Sequence, residues 1–240
     1  MSDFKARFIM NFIKDDRWHY IADGLKVTLI VTFCAVLIGV VLGFLLAIVR
    51  STYDKTGKLK LLNLICQIYI TVIRGTPVVV QLLIIYFVIF ASVDVSKTIV
   101  AILAFGMNSS AYVAEIFRSG IMSIDNGQFE AARSLGLTYR QTMLSVILPQ
   151  AFKNIIPEMA NTFLTNLKMT SVLNVIAVQE LFMAAKTVGG NYYKYFESYL
   201  VIAVIYFVLC FVFDKIFKFI EKKMQGKTDY ALAIEYMDNQ

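Results

Sequence analysis

Asn161, Thr162, Thr165, Lys168 and Met169 recur at helical spacing inside the otherwise apolar stretch 150–176, with Asn166, Thr170 and Ser171 beside them. Amide, hydroxyl and ammonium groups in this pattern suit binding and guiding a polar solute rather than breaking bonds. Lipid cannot hydrogen-bond such a face, so it must look into protein or a water-filled cavity. A buried structural stripe where two subunits meet is the other reading. Lys168 is the costly member, because an ammonium deep in hydrocarbon costs about 3 kcal/mol or more. It could snorkel to the outer surface, pair with an acidic group on another span, or attract a substrate carboxylate.

Other chemistries are hard to assemble. There are no paired carboxylates with usable spacing, and the single histidine, His19, sits in an aromatic, charged stretch. Cys34, Cys66 and Cys210 are odd in number, far apart and set in apolar segments, as core-filling thiols would be. Gly226-Lys227-Thr228 has the ending of a P-loop, but the glycine required five residues upstream is Glu221. No strand precedes it either, so the phosphate cradle cannot form.

The elements that position the polar stripe belong to a membrane protein. The chain is 58% hydrophobic and 17% charged, against roughly half and a quarter for soluble domains. Several windows reach the ~20 apolar residues a span needs. The net charge of +6 is spread beside hydrophobic runs, which reads as orientation charge instead of a nucleic-acid stripe. The expected fold is an all-α membrane bundle of about five transmembrane helices. An N-terminal amphipathic segment (1–22) puts Phe4, Phe8, Ile9, Phe12 and Ile13 on one face of an interfacial helix. The membrane domain follows (23–222), with a cytoplasmic loop over 118–149 and a basic tail over 223–240.

Spans are expected at 23–49, after a break at Arg74-Gly75-Thr76-Pro77, at 98–117, at 150–176 and at 198–214. Proline removes a donor and restricts its predecessor, so 59–92 becomes an interfacial elbow and then a span ending near Ala91. Gly39 and Gly43 mark a close helix contact or are merely tolerated. Asn108, Ser109 and Ser110 line a polar path or bond other helices, and Glu115 and Arg118 are spaced to pair. Residues 177–197 are expected as an external segment. The basic first loop, the Arg133/Arg140 region and the lysine-rich tail all fit one cytoplasmic face.

Between the third and fourth spans lies a charged island, EAARSLGLTYRQTMLSVILP, residues 130–149. Its helical signal stops at Gly136 and restarts near Tyr139, giving a knob of two short helices. An ordinary helical hairpin would look similar. The spacing, however, closely resembles the EAA loop of ABC-importer permeases, with Val146 where that family usually has isoleucine. RGTPVVVQLL, FGMNSSAYVAEIFR and LKMTS resemble elements of the permeases for polar amino acids.

The resemblance implies half of the pore of a type I importer in the bacterial plasma membrane. Glu130, Ala131, Ala132, Leu135, Gly136 and Pro149 would couple to a separate ATPase, and Asn161, Thr162, Thr165, Lys168, Met169, Thr170 and Ser171 would border the substrate path. It further implies a second permease subunit, identical or sister, and an extracytoplasmic solute-binding protein. The chain itself would bind no cofactor; ATP and Mg would sit on the ATPase. Related permeases often carry acidic residues where this chain has Thr162 and Met169, which removes the usual contacts to a cationic substrate. A secondary transporter or a channel is the competing class; neither needs the knob.

Overall fold

A computed structural model describes residues 6, 8–191, 193 and 195–225. Among these the chain is helical. Helix α1 (Trp18–Thr56) runs unbroken for 39 residues until Gly57 enters the left-handed region at φ 66° and donates to the Tyr53 carbonyl. At 1.5 Å per residue it is longer than the hydrocarbon core is thick. Its inward face is a ladder of small residues, Thr28, Thr32, Ala35, Gly39, Gly43 and Ala47. Those residues let the backbone of α4 (Lys97–Met122) approach closely. A Cβ on Gly43 would fall 2.7 Å from the Val113 Cβ and 2.8 Å from the Ser110 carbonyl, so the glycine pair makes a real contact.

The break is where the sequence puts it. Helix α2 (Lys60–Gly75) is amphipathic and buries Asn63, Cys66 and Ile70. Thr76 is extended before Pro77, and α3 (Val78–Ile84) continues as a π-helical turn to Ile89. The two arms bend by 109°, and neither alone is long enough to span. Leu82 and Ile85 pack with Val100, Ala101 and Ala104, so α3 climbs back along α4. The Gln81 amide closes the break, reaching the carbonyls of Ile73 (2.7 Å) and Thr76 (3.1 Å). Those are carbonyls that the end of α2 leaves without helical partners.

Helices α5 (Asn126–Ser134) and α6 (Tyr139–Thr142) lead through a π-helical turn (Met143–Ile147) into α7 (Leu148–Met169), which tightens into a 3-10 segment, Thr170–Ile176. The wider turn precedes Pro149, whose ring crowds the preceding turn of a regular helix. Helix α8 (Leu181–Gly190) buries Leu181, Ala184, Ala185 and Val188 in a core shared with α1 and α9 (Tyr195–Gln225). Three helices are long and apolar enough to cross a membrane, or five if each bent pair is one span.

Three expectations are corrected. Residues 181–190 are packed inside the bundle instead of forming an external segment, because Leu181, Ala184, Ala185 and Val188 form one apolar face against α1 and α9, while the Glu180 carboxylate caps the helix with bonds from the Phe182 and Met183 amides, both 2.8 Å. Among the described residues the N-terminal segment is not one regular amphipathic helix. A π turn (Ile9–Ile13) and a 3-10 turn (Lys14–Asp16) bury Phe12 beside Leu181 and leave Ile9 and Ile13 exposed. Phe4 lies outside the described residues. The spans overrun their expected ends, α9 reaching Gln225 where the tail was to begin at 223; the rest of the tail lies outside the described residues.

Candidate functional site

The knob is built by local chemistry. Asp125 caps α5 by accepting from the Gly127 amide at 2.6 Å. At its other end the Gly136 N–H donates to Arg133 and the Leu137 N–H to Ala132, a Schellman closure that requires the φ of +83° found at Gly136. Thr138 and Gln141 then form a reciprocal capping box that starts α6. Phe129 anchors the hairpin, meeting Tyr139 edge to face at 5.8 Å and packing on the cluster of Phe117, Ile147 and Ile155.

Glu130 and Ala131 are exposed, Ala132 is buried, and Leu135 stands at the turn with 83% of its surface free. Pro149 is not at this tip; it sits in the first turn of α7.

The polar stripe of α7 meets α4. Asn161, Thr162, Thr165, Asn166 and Met169 line a cavity of about 280 Å³ with Asn108, Ser109 and Tyr112. Asn166 donates to the Ser109 hydroxyl at 3.2 Å, and Asn108 donates to the Gln81 Oε1 at 2.9 Å. Ser110 is fully buried and its hydroxyl meets that of Tyr69 at 2.8 Å. Asn108 and Ser109 thus bond other helices while also edging the cavity; Ser110 only bonds. Lys168 is exposed and is not among the lining residues, while Thr170 and Ser171 turn back to the carbonyls of Leu167 and Lys168.

One turn beyond Tyr112, Glu115 and Arg118 pair as expected, at 2.6 Å. The structure adds what spacing could not: Arg50 from α1 at 2.9 Å, and Arg74 at 4.0 Å, on the same carboxylate. Gln81 and Tyr112 stand inside the RGTPVVVQLL and FGMNSSAYVAEIFR runs, but nothing local assigns them these roles. Among the described residues no group of three His, Cys, Asp or Glu is placed to hold a metal. Gly226-Lys227-Thr228 lies outside the described residues.

A family model described as "Binding-protein-dependent transport system inner membrane component" matches residues 39–226, most of the chain. The chain belongs to this family. Among its relatives, the permease is 38% identical over 205 residues to the "Probable amino-acid ABC transporter permease protein YckA" of Bacillus subtilis, covering 85% of this chain and 88% of that one. It is also 38% identical to the "Putative glutamine transport system permease protein GlnP" of Rickettsia typhi, covering 85% and 93%. A crystal structure of "an amino acid ABC transporter with histidines" superposes on the permease with a TM-score of 0.80 at 40% identity, covering 88% of this chain and 98% of the other. The family places the permease in the inner membrane, and five spans, the number expected from sequence, are reached if each bent pair is one span; the break at Arg74–Pro77 was expected and the one between Ile176 and Leu181 was not.

Proposed function

We propose that this permease is the transmembrane subunit of an ATP-driven importer for polar amino acids, a type I ABC importer half. The observation that carries the reading is the knob. A rigid hairpin, closed by its own bonds and presenting the bare Leu135, has no task in a channel or a secondary transporter. On a separate ATPase it is a lever: Glu130, Ala131 and Leu135 seat in a groove, and Phe129 passes the motion to the ends of α4 and α7. Pro149, at the start of α7, belongs to the transmission more than to the contact.

Movement of α7 against α4 opens and closes the cavity between them, which is the substrate's route. Thr162 and Met169 leave that route without carboxylates, favouring neutral or acidic amino acids over cationic ones. Lys168 and Ser171 border the path only where a second permease subunit, identical or sister, completes it, while Thr170 is buried and supports α7 from within. A solute-binding protein delivers substrate on the opposite face, and ATP with Mg stays on the ATPase. The end carrying Arg50, the knob and the basic C-terminal part of α9 faces the cytoplasm.

Single cysteines at Glu130 and Ala131, in a background lacking Cys34, Cys66 and Cys210, test this directly. They are expected to react with an impermeant reagent only from the cytoplasmic side and to be shielded when a co-purifying P-loop ATPase is bound. Labelling from outside, or amino-acid uptake by the chain without any ATPase, would overturn the reading.

A further inference from the structure

Next to the α4–α7 cavity lies a second pocket of about 590 Å³, lined by Arg50, Ile70, Thr71, Arg74, Gly75, Tyr112 and Glu115. Tyr112 lines both spaces, which makes it the residue they share. The volume lies within the range of small-molecule sites, roughly 300–1,000 Å³. Its charges are unequal. Arg50, Arg74 and Arg118 face Glu115 and Asp54, three cations to two anions, leaving one positive charge in excess.

The geometry says which cation is loose. Arg118 forks onto Glu115 Oε1 at 2.6 and 3.1 Å and also reaches Asp54 at 3.2 Å. Arg50 holds Glu115 Oε2 at 2.9 Å. Arg74 is only 4.0 Å from that same oxygen, its side chain is 43% exposed, and its guanidinium lies 5.4 Å over the Tyr112 ring. A planar guanidinium with a free edge is matched by a carboxylate.

We propose that this pocket is a second substrate position, where Arg74 receives the α-carboxylate of an amino acid arriving at Tyr112. The inference rests on the amino-acid reading of the permease and adds a site to it. Tyr112 is the gate. Its ring holds Arg74 across the boundary until a carboxylate competes for the guanidinium, and withdrawal of Arg74 then unblocks the way. Glu115 stays clamped by Arg118 and Arg50, so only the weakest contact of the cluster has to break.

The test uses the full chain, co-purified with its partner subunits in nanodiscs, and its first arm leaves the chain unmutated. Phenylglyoxal modifies accessible guanidinium groups, and the extent at Arg74 is read by mass spectrometry of its peptide. The probes are pools of the standard L-amino acids, the matching α-carboxamides, and inorganic phosphate. At least one amino-acid pool is expected to slow modification of Arg74 several-fold, with the carboxamides without effect and phosphate weaker. Equal protection by acids and carboxamides, stronger protection by phosphate than by any amino acid, or protection by none of the pools would overturn the site. ATP-driven uptake by the same preparation is measured in liposomes. Uptake without protection condemns the site alone, whereas carboxylate-specific protection without uptake upholds the site and condemns the importer reading. Arg74→Gln is expected to abolish discrimination between acid and carboxamide in direct binding, and Arg74→Lys to keep part of it.

Discussion

The knob and the α1–α4 seam each depend on a glycine, for opposite reasons. Gly136 has nothing within 4 Å of where a Cβ would stand, yet its φ of +83° is one that side chains disfavour. Gly43 sits in ordinary helix and would put a Cβ 2.7 Å from Val113. One glycine answers a backbone conformation fixed within its own turn; the other answers a neighbour 70 residues along the chain. The difference separates a device that folds by itself from a surface that exists only after the bundle has closed.

The largest effect is expected from Gly136→Val. A β-branched residue in the left-handed region costs about 1–2 kcal/mol or more, and the Schellman closure that shapes the tip is lost with it. Uptake should vanish while membrane insertion, followed by protease protection, stays normal. Gly136→Asn should retain much more uptake, since Asn tolerates that region. Equal loss in both variants would mean that space around the turn, rather than its conformation, matters.

Gly43→Leu should act in the other way, through crowding. Overpacking costs typically about 1–3 kcal/mol, and it should appear as a lower yield of folded protein in detergent. Val113→Ala should rescue only part of it, because the Ser110 carbonyl also lies 2.8 Å from the new Cβ. Full rescue would show that the backbones separate more easily than the seam implies.

The break after α2 lies between these extremes. Gln81→Leu leaves the carbonyls of Ile73 and Thr76 uncapped and Asn108 without its acceptor. A loss of roughly 1–3 kcal/mol follows for a buried group left unsatisfied, read as a lower unfolding midpoint. Adding Asn108→Leu should cost less than the sum of the single changes, since both partners are then removed. Strict additivity would sever the two residues.

Smaller still is Asn166→Ala, which removes one interhelical bond to Ser109. In membranes such bonds average about 0.6 kcal/mol, so stability should barely move while substrate affinity falls. The smallest stability effect belongs to Lys168→Met, whose side chain is exposed. Folded yield should be unchanged and uptake should weaken most for substrates with an extra carboxylate. A drop in yield would instead assign Lys168 to an ion pair with another subunit.

Much of this permease was legible because much of it is local. A helix end, a proline break and a turn are settled by residues four or five apart. Accordingly Pro77 marks the bend, Gly136 the turn, Tyr139 the restart, and Glu115 finds Arg118 one turn away. Membrane class and the need for a protected polar face follow equally from composition, since hydrocarbon cannot satisfy amides and hydroxyls. What only the tertiary structure decided is which distant groups meet. Arg50 reaches Glu115 across 65 residues, and Leu181 donates to Thr28 across 153. The same limit explains the errors. Residues 177–197 looked external because they mix Glu180, Lys186, Gly189-Gly190 and a tyrosine cluster, and only the packing of α8 against α1 and α9 shows that 181–190 are buried. Lys168 shares the helical stripe of Thr165 but not its cavity, because the wall that closes the cavity belongs to α4. Periodicity places a side chain on a face; the neighbour that face will meet is fixed by packing.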